Sequence, residues 1–327
     1  TIVGDLSMHR EAERPRELQE VSTVRFGEWK QLCQGDPDTT YFVSNLAGAT
    51  LLRRLRSEYE PLKGGLARPI ARGVTPDCVR AHVLSDSDRE QSAVEEEVLR
   101  PSVSGKAISQ DGHCKRDQWI VYTAKGTDID RYPNALGHLK RYRDQISCRE
   151  VAAGKHPWWA LHRPRDPAIF DSPKLIGVTT STIIRLGLDQ DQNLYVTDAM
   201  YVLHPKPEID PASLLAVMES RTFLFLYRVA NQSEARVIPQ VKAAKLGELP
   251  IPLSACSGNG GDKRLRRIAR DLLQLRREAA ERDRADSQGK ERIERLVHSL
   301  TNQIDQLVYE LYGLTDEEIR IVEEGTK

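Results

Sequence analysis

The chain lacks most of what marks a secreted, membrane-bound or metal-dependent protein. Its five cysteines, Cys33, Cys78, Cys114, Cys148 and Cys256, are scattered over 327 residues. Their number is odd and no Cys-x-x-Cys pair occurs, so neither a zinc ribbon nor a disulfide framework is supported, and a reducing cytoplasm fits best. No apolar run approaches the roughly 20 residues of a membrane span. The opening Thr1-Ile2-Val3-Gly4-Asp5 has no basic start and no apolar h-region, so no secretion signal is expected. It also lacks an initiator Met, as a processed product or a fragment would. Net charge is missing too: 48 Lys and Arg balance 48 Asp and Glu. That counts against a uniformly basic nucleic-acid binder but leaves room for a basic face offset by acidic segments elsewhere.

Catalytic signatures are equally scarce. Methylation of an exocyclic amine needs an Asn-Pro-Pro-Tyr type motif and a glycine-rich turn after a strand; neither is present. The nearest fragment, Tyr132-Pro133-Asn134, reads as a helix start. Gly258-Asn259-Gly260-Gly261 precedes a helical stretch but lacks the Lys-Ser/Thr of a P-loop and the Gly-x-Gly-x-x-Gly spacing, so it reads as a linker. Glu28-Trp29-Lys30, with Asp5 upstream, matches half of a metal-dependent nuclease pattern; such triplets arise by chance, and Lys30 reads better as a solvated strand end. His113-Cys114 has no second pair at ligand spacing. His156 and His162 flank Trp158-Trp159 and do not share a helix face. No Gly-x-Ser-x-Gly elbow occurs.

What is present is an ordinary globular composition, 39% hydrophobic and 29% charged, which excludes a disordered chain. Val21 to Trp29 suggests a strand. Leu46, Leu51, Leu52 and Leu55 fall at helical spacing up to Pro61. Gly64-Gly65 opens a strand-like region reaching Arg72-Gly73-Val74-Thr75-Pro76. Residues 85–97 are acidic and polar and read as a solvated excursion. Gln118–Tyr122 reads as a buried strand, and Pro133 as the first residue of a helix lined by Leu136, Leu139, Ile146 and Val151. Strands are expected over 174–178, 182–186 and 193–203, short helices over 211–219 and 221–229, and an extended segment over 245–253. After the break at 257–261, apolar residues recur every three or four positions over 263–285 and 290–312, with 286–289 as a turn and Gly313 as a cap. Thr315 with Glu318 matches a capping box. The whole reads as α+β: a mixed α/β body over about 1–254, then a helical hairpin.

Several fragments then occur in a telling order: Arg72-Gly73-Val74-Thr75-Pro76; Leu99-Arg100-Pro101 with Ser104-Gly105-Lys106; Trp119-Ile120-Val121-Tyr122; the Tyr132-Pro133 helix; Trp158-Trp159-Ala160-Leu161-His162-Arg163-Pro164-Arg165; Pro173-Lys174-Leu175-Ile176; Leu194-Tyr195-Val196-Thr197-Asp198; Leu249-Pro250-Ile251-Pro252; and Leu307-Val308-Tyr309-Glu310-Leu311-Tyr312-Gly313-Leu314-Thr315. This order resembles the C-terminal specificity domain of TaqI-like adenine DNA methyltransferases. It is more similar still to the version in single-chain type IIG restriction–modification enzymes and their phage-defence relatives. The resemblance spans about 60–325, departs from the family in lacking every catalytic motif, and leaves the acidic 85–97 insert unmatched. It implies a seam over 1–60 following a missing catalytic domain, a DNA target-recognition domain over 61–254, and a helical tail over 255–327. It implies double-stranded DNA as partner, a methyltransferase domain N-terminal to this segment, and S-adenosylmethionine in that missing domain with no cofactor in this chain.

A DNA reader needs cations for phosphates and guanidinium, hydroxyl or amide groups for base edges. Lys155, Arg163, Arg165 and Lys174 surround the tryptophan pair in a proline-stiffened stretch, with Trp158 and Trp159 as anchors and the arginines as contacts. Thr179-Thr180-Ser181-Thr182 followed by Arg185 either meets DNA or simply serves a strand. Arg72 and Lys106 sit beside Gly73 and Gly105, where a backbone can approach closely, or are solvated turn cations. The arginine-rich start of the tail (Lys263, Arg264, Arg266, Arg267, Arg270) reads as a solvated helix face. The expected function is sequence-specific DNA recognition without an active site. The alternatives are a separate specificity subunit, a nuclease using Glu28 and Lys30, and a protein–protein adaptor.

Overall fold

Local signals fix where many of the elements begin. The computed structural model describes residues 46–111, 114–146, 148–231, 241–281 and 287–327. The expected strand at 21–29, the Asp5–Glu28–Lys30 set, Cys33 and His113 lie outside them. Helix α1 (Leu46–Glu58) carries the expected leucine face and gives way to a turn before strand β1 (Ala71–Arg72). A small lobe follows: α2 (Val79–His82), β2 (Val83–Leu84), α3 (Asp86–Ser92), β3 (Leu99–Ser102), α4 (Gly105–Asp111), β4 (Gln118–Val121), α5 (Pro133–Lys140) and α6 (Arg149–Ala152). The chain then returns with β5 (Lys174–Val178), β6 (Leu186–Asp189) and β7 (Met200–Leu203). It ends in α7 (Pro211–Glu219), α8 (Arg221–Asn231), α9 (Ala243–Gly247), α10 (Lys263–Glu281), α11 (Ser287–Leu311) and α12 (Asp316–Glu324).

The fold is α+β, with two antiparallel sheets in the orders β1-β7-β5-β6 and β2-β4-β3. Residues of the larger sheet alternate between two cores, as the period of two requires. Leu175, Tyr201 and Leu203 face one core; Ile176, Met200 and Val202 face the other. The first core also takes Leu214, Leu215 and Met218 of α7, Phe223 and Leu226 of α8, Leu265, Ile268 and Leu272 of α10, and Ile304 and Val308 of α11. The apolar seam of the tail helices is thus buried against the body, except at exposed Leu296. Arg264 at the start of α10 meets Glu310 near the end of α11 at 3.0 Å, so the two run antiparallel. A third core fills the small lobe, with Leu84, Val121 and Leu139 inside and Trp158 and Trp159 packed on its edge.

Caps account for several boundaries. Pro133 and Pro211 sit at first-turn positions; Asp210 accepts from Ser213 N at 2.9 Å; Thr315 and Glu318 form the reciprocal box ahead of α12. Gly313 holds φ +57°, the left-handed geometry that favours glycine at a helix end.

The acidic insert is solvated as expected, with Val94 its one buried residue, but it is ordered around a short helix. Ser85 and Asp88 form a capping box for α3. Both carboxylate oxygens of Glu95 accept from the first free amides of α5, Asn134 N and Ala135 N, at 2.9 Å each. Asp86 accepts from Trp119 Nε1 at 2.8 Å and Arg116 at 2.6 Å. Asp86, Asp88 and Glu95 of the insert thus serve helix ends and a tryptophan, which a count of charges does not reveal. Other boundaries move as well. α5 stops at Lys140, so Ile146 and Val151 do not extend its face; β6 starts at Leu186 rather than 182; residues 193–203 are interrupted before β7. Residues 245–247 of the expected extended segment belong instead to α9, and its remainder pairs through Pro250 with Pro61.

Three buried histidines set an acid limit on the fold. His82 lies between the carbonyls of Cys78 and Trp159 (3.3 and 3.4 Å), His138 reaches Ala81 O at 3.1 Å, and His204 reaches Ile169 O at 2.9 Å. Burial, the largest cause in each, lowers all three below the ordinary histidine value of 6.5. The unfolded chain therefore takes up protons first. Stability is complete above about pH 6.5 and falls as pH drops from there toward the depressed native values. The urea midpoint is expected to be lower at pH 5.5 than at pH 7.5; equal midpoints would show that these rings protonate in place.

Candidate nucleic-acid interface

The antiparallel register decides which residues meet. Arg72 pairs with Tyr201, Val178 with Met200, and Gly177 with Leu186. The exit of β1, the exit of β5 and the entries of β6 and β7 therefore lie at one end of the larger sheet. Arg72 stands at this rim, exposed. Thr179 to Arg185 form the loop that leaves it and returns. Gly105, where α4 starts, sits against the rim too: a Cβ there would lie 3.8 Å from the Val178 side chain and 4.0 Å from that of Met200. Exposed Lys106 follows directly.

The ribbon from Arg72 to Thr75 is pinned on two sides. Val74 N donates to Val196 O at 2.8 Å and Asp198 N to Val74 O at 2.8 Å. Gly73 is pressed so close to the 196–197 backbone that an added Cβ would overlap the carbonyl oxygens of Val196 and Thr197. On the other side, Thr75 and Arg163 exchange backbone hydrogen bonds of 2.9 and 3.1 Å. Arg165 takes a left-handed backbone (φ +64°) and sends Nε to Gly73 O at 3.1 Å, while the Tyr122 hydroxyl donates to Arg165 O at 2.7 Å. Burial raises that hydroxyl above its usual range, so it remains a neutral donor. Arg72, Arg163 and Arg165 are thereby set on adjoining segments, all exposed, and among the described residues no carboxylate forms an ion pair with any of them.

Some cations of the tail contrast with these, while exposed Arg267 and Arg277 there form no ion pair among the described residues. Arg264 is held by Asp262 and Glu310, Arg270 by Asp210 at 3.1 Å, and Arg276 by Glu219 at 2.6 Å. Their charge is already used.

Other sequence-derived candidates divide. Thr180 and Thr182 are exposed on the rim loop, and the Ser181 hydroxyl, beside them, accepts from Ile183 N at 3.3 Å. Arg185 is about one-quarter exposed and lies 3.8 Å from Glu219. Lys155 is exposed farther along, where its carbonyl accepts from Lys125 Nζ at 3.3 Å. Two candidates are corrected. Lys174 opens β5 at the opposite end of the sheet, is 0% exposed, and is bound to Asp189 Oδ2 at 2.6 Å and Phe170 O at 2.6 Å. Thr179 is 8% exposed and donates its hydroxyl to Ala199 O at 2.7 Å. Neither side chain is free to meet a ligand.

Sequence reasoning missed Arg68 and Arg100. Arg68 donates to Ala168 O at 2.9 Å, three residues from Arg165. The guanidinium of Arg100 lies 5.7 Å from the ring centre of Tyr122 and 6.0 Å from that of Tyr195. The one signal for Arg68 was an arginine before Pro69, close in sequence to Arg72.

Among the described residues no cluster of three or more His, Cys, Asp or Glu could hold a metal, and no helix is long and apolar enough to cross a membrane. No family model matches the chain. Among solved structures, the chain is similar to the type IIL restriction-modification enzyme MmeI, determined in complex with DNA. The sequences are 16% identical, the match covers 82% of this chain and 36% of that one, and the TM-score is 0.49. The chain thus spans little more than a third of that enzyme's length.

Proposed function

We propose that this chain reads double-stranded DNA, gripping it with the sheet rim formed by Arg72, Lys106, Arg163, Arg165, the Thr180–Thr182 loop and Arg185. The observation that supports this most is convergence: Arg72, Arg163 and Arg165 stand exposed on adjoining, backbone-pinned segments, and no carboxylate among the described residues pairs with any of them. Unpaired guanidinium groups on backbone-pinned segments suit phosphate oxygens and guanine edges, and the loop hydroxyls suit either. Residues 61–254 form the reading part and 255–327 a brace against it. In this reading the chain is the specificity portion of an adenine-specific DNA methyltransferase or type IIG restriction–modification enzyme. Its S-adenosylmethionine-dependent catalytic domain lies N-terminal to this segment, and the adenine is flipped and methylated there.

Binding to a pool of random duplexes at two salt concentrations, with sequencing of what is retained, tests the reading. The chain is expected to enrich a short motif and to lose affinity steeply as salt rises. Replacing Arg72, Arg163 and Arg165 together by glutamine should flatten the dependence of log K on log[salt] by about 0.9 for each phosphate contact removed. Wild-type binding that is absent at low salt, or a triple variant with an unchanged slope, overturns the assignment.

A further inference from the structure

Behind the rim loop lies a buried charge cluster with one carboxylate and two guanidinium groups. Glu219, the last residue of α7, accepts from Leu186 N at 2.6 Å, which fixes the point where the rim loop re-enters the sheet. Its other oxygen takes Arg276 Nη2 of α10 at 2.6 Å, with side chains 5% and 8% exposed. Arg185 approaches the same oxygen only to 3.8 Å, and its side chain is 26% exposed. Neither Arg185 Nε nor Arg276 Nη1 has a hydrogen-bond partner among the described residues. A buried carboxylate must be paired. Arg276 meets that need at short range, and Arg185 is a loosely held second cation at the surface.

We infer that Arg276 is a positioning residue: it neutralises Glu219 from the tail helix so that Arg185 is available to a DNA phosphate. The inference rests on the DNA-reading assignment above. Without Arg276, Arg185 becomes the sole counter-ion of Glu219 and is drawn inward. With Glu219 neutral as well, nothing draws it in, and a glutamine oxygen still accepts from Leu186 N.

The test is the salt dependence of duplex binding by the full chain. R276M should flatten the slope by about 0.9, the value for one phosphate contact. R185Q should flatten it equally, and R276M/R185Q no further than either alone. R276M/E219Q, which holds no unpaired buried charge, should regain the wild-type slope. A purely structural role for Arg276 would give losses that add and no recovery in R276M/E219Q, and either result overturns the inference. If R276M does not fold, R276M/E219Q and R185Q carry the test: a flattened slope in the first or an unchanged slope in the second overturns it. Failure of the wild type to bind DNA overturns both this and the parent reading. Wild-type binding that needs Arg72, Arg163 and Arg165 but is unaffected by R276M or R185Q overturns this inference alone.

Discussion

Replacing Asp189 by alanine should destabilise the protein by about 3–5 kcal/mol, the cost typical of breaking one side of a buried ion pair. Lys174 and Asp189 are 0% and 1% exposed. The ammonium has three acceptors within reach: Asp189 Oδ2 at 2.6 Å, Phe170 O at 2.6 Å and Ser172 O at 3.4 Å. The carboxylate in turn accepts from Leu194 N at 2.7 Å and Gln192 N at 3.0 Å, so it shapes the turn after β6. D189A strands a cation with no route to water and frees two amides. K174M/D189N removes both charges and keeps an oxygen for one of those two amides, so it should recover part of the loss. Urea midpoints at a constant m value measure both. Because the pair sits at the end of the sheet away from the rim, the double variant should keep the wild-type salt slope for DNA. A reduced slope would return Lys174 to the list of contacts.

Gly73→Ala should be the most damaging small substitution at the rim. Its Cβ would overlap two backbone carbonyls, of Val196 and Thr197, and these cannot rotate aside as a side chain could. Overpacking of this kind costs about 1–3 kcal/mol. The ribbon is pushed off the 196–197 backbone, and the hydrogen bond from Arg165 Nε to Gly73 O is lost with it. Duplex affinity is therefore expected to fall further than stability alone predicts when both are measured well below the melting range. Gly137→Ala is the control: no heavy atom lies within 4 Å of its added Cβ, and on helix α5 it should stabilise by about 0.5–1 kcal/mol. Equal affinity for G73A and wild type would separate the ribbon from DNA binding.

Elements with local causes were legible in the sequence. Asp210 and the Thr315–Glu318 box satisfy amides within a turn of themselves, and Pro133 presets the backbone of its own helix's first turn, so short windows suffice. The Ser85–Asp88 box was equally local, but the acidity of 85–97 masked it. Lys174 was misread for a different reason: its partner lies fifteen residues on, across an antiparallel pair, where no periodicity points to it. Thr179 follows β5 with a hydroxyl claimed by Ala199, a contact set by sheet register alone. The rim itself is a product of topology. Arg72, Lys106, Arg163 and Arg185 are far apart in the chain and converge because β1, β5 and β7 share one sheet.

The fork between Arg54 and Glu318 closes the structure over a sequence separation of 264 residues, through Nε at 3.1 Å and Nη2 at 2.9 Å. Tyr59 likewise donates to Leu311 O at 2.9 Å, 252 residues away. On a ribosome moving at roughly 5–20 residues per second, α1 waits on the order of tens of seconds for these partners to be made. Its leucine face meets α8 first, and α12 completes the cover. A chain that stops before residue 318 would keep α8 against α1 but lose the fork and the packing of α12.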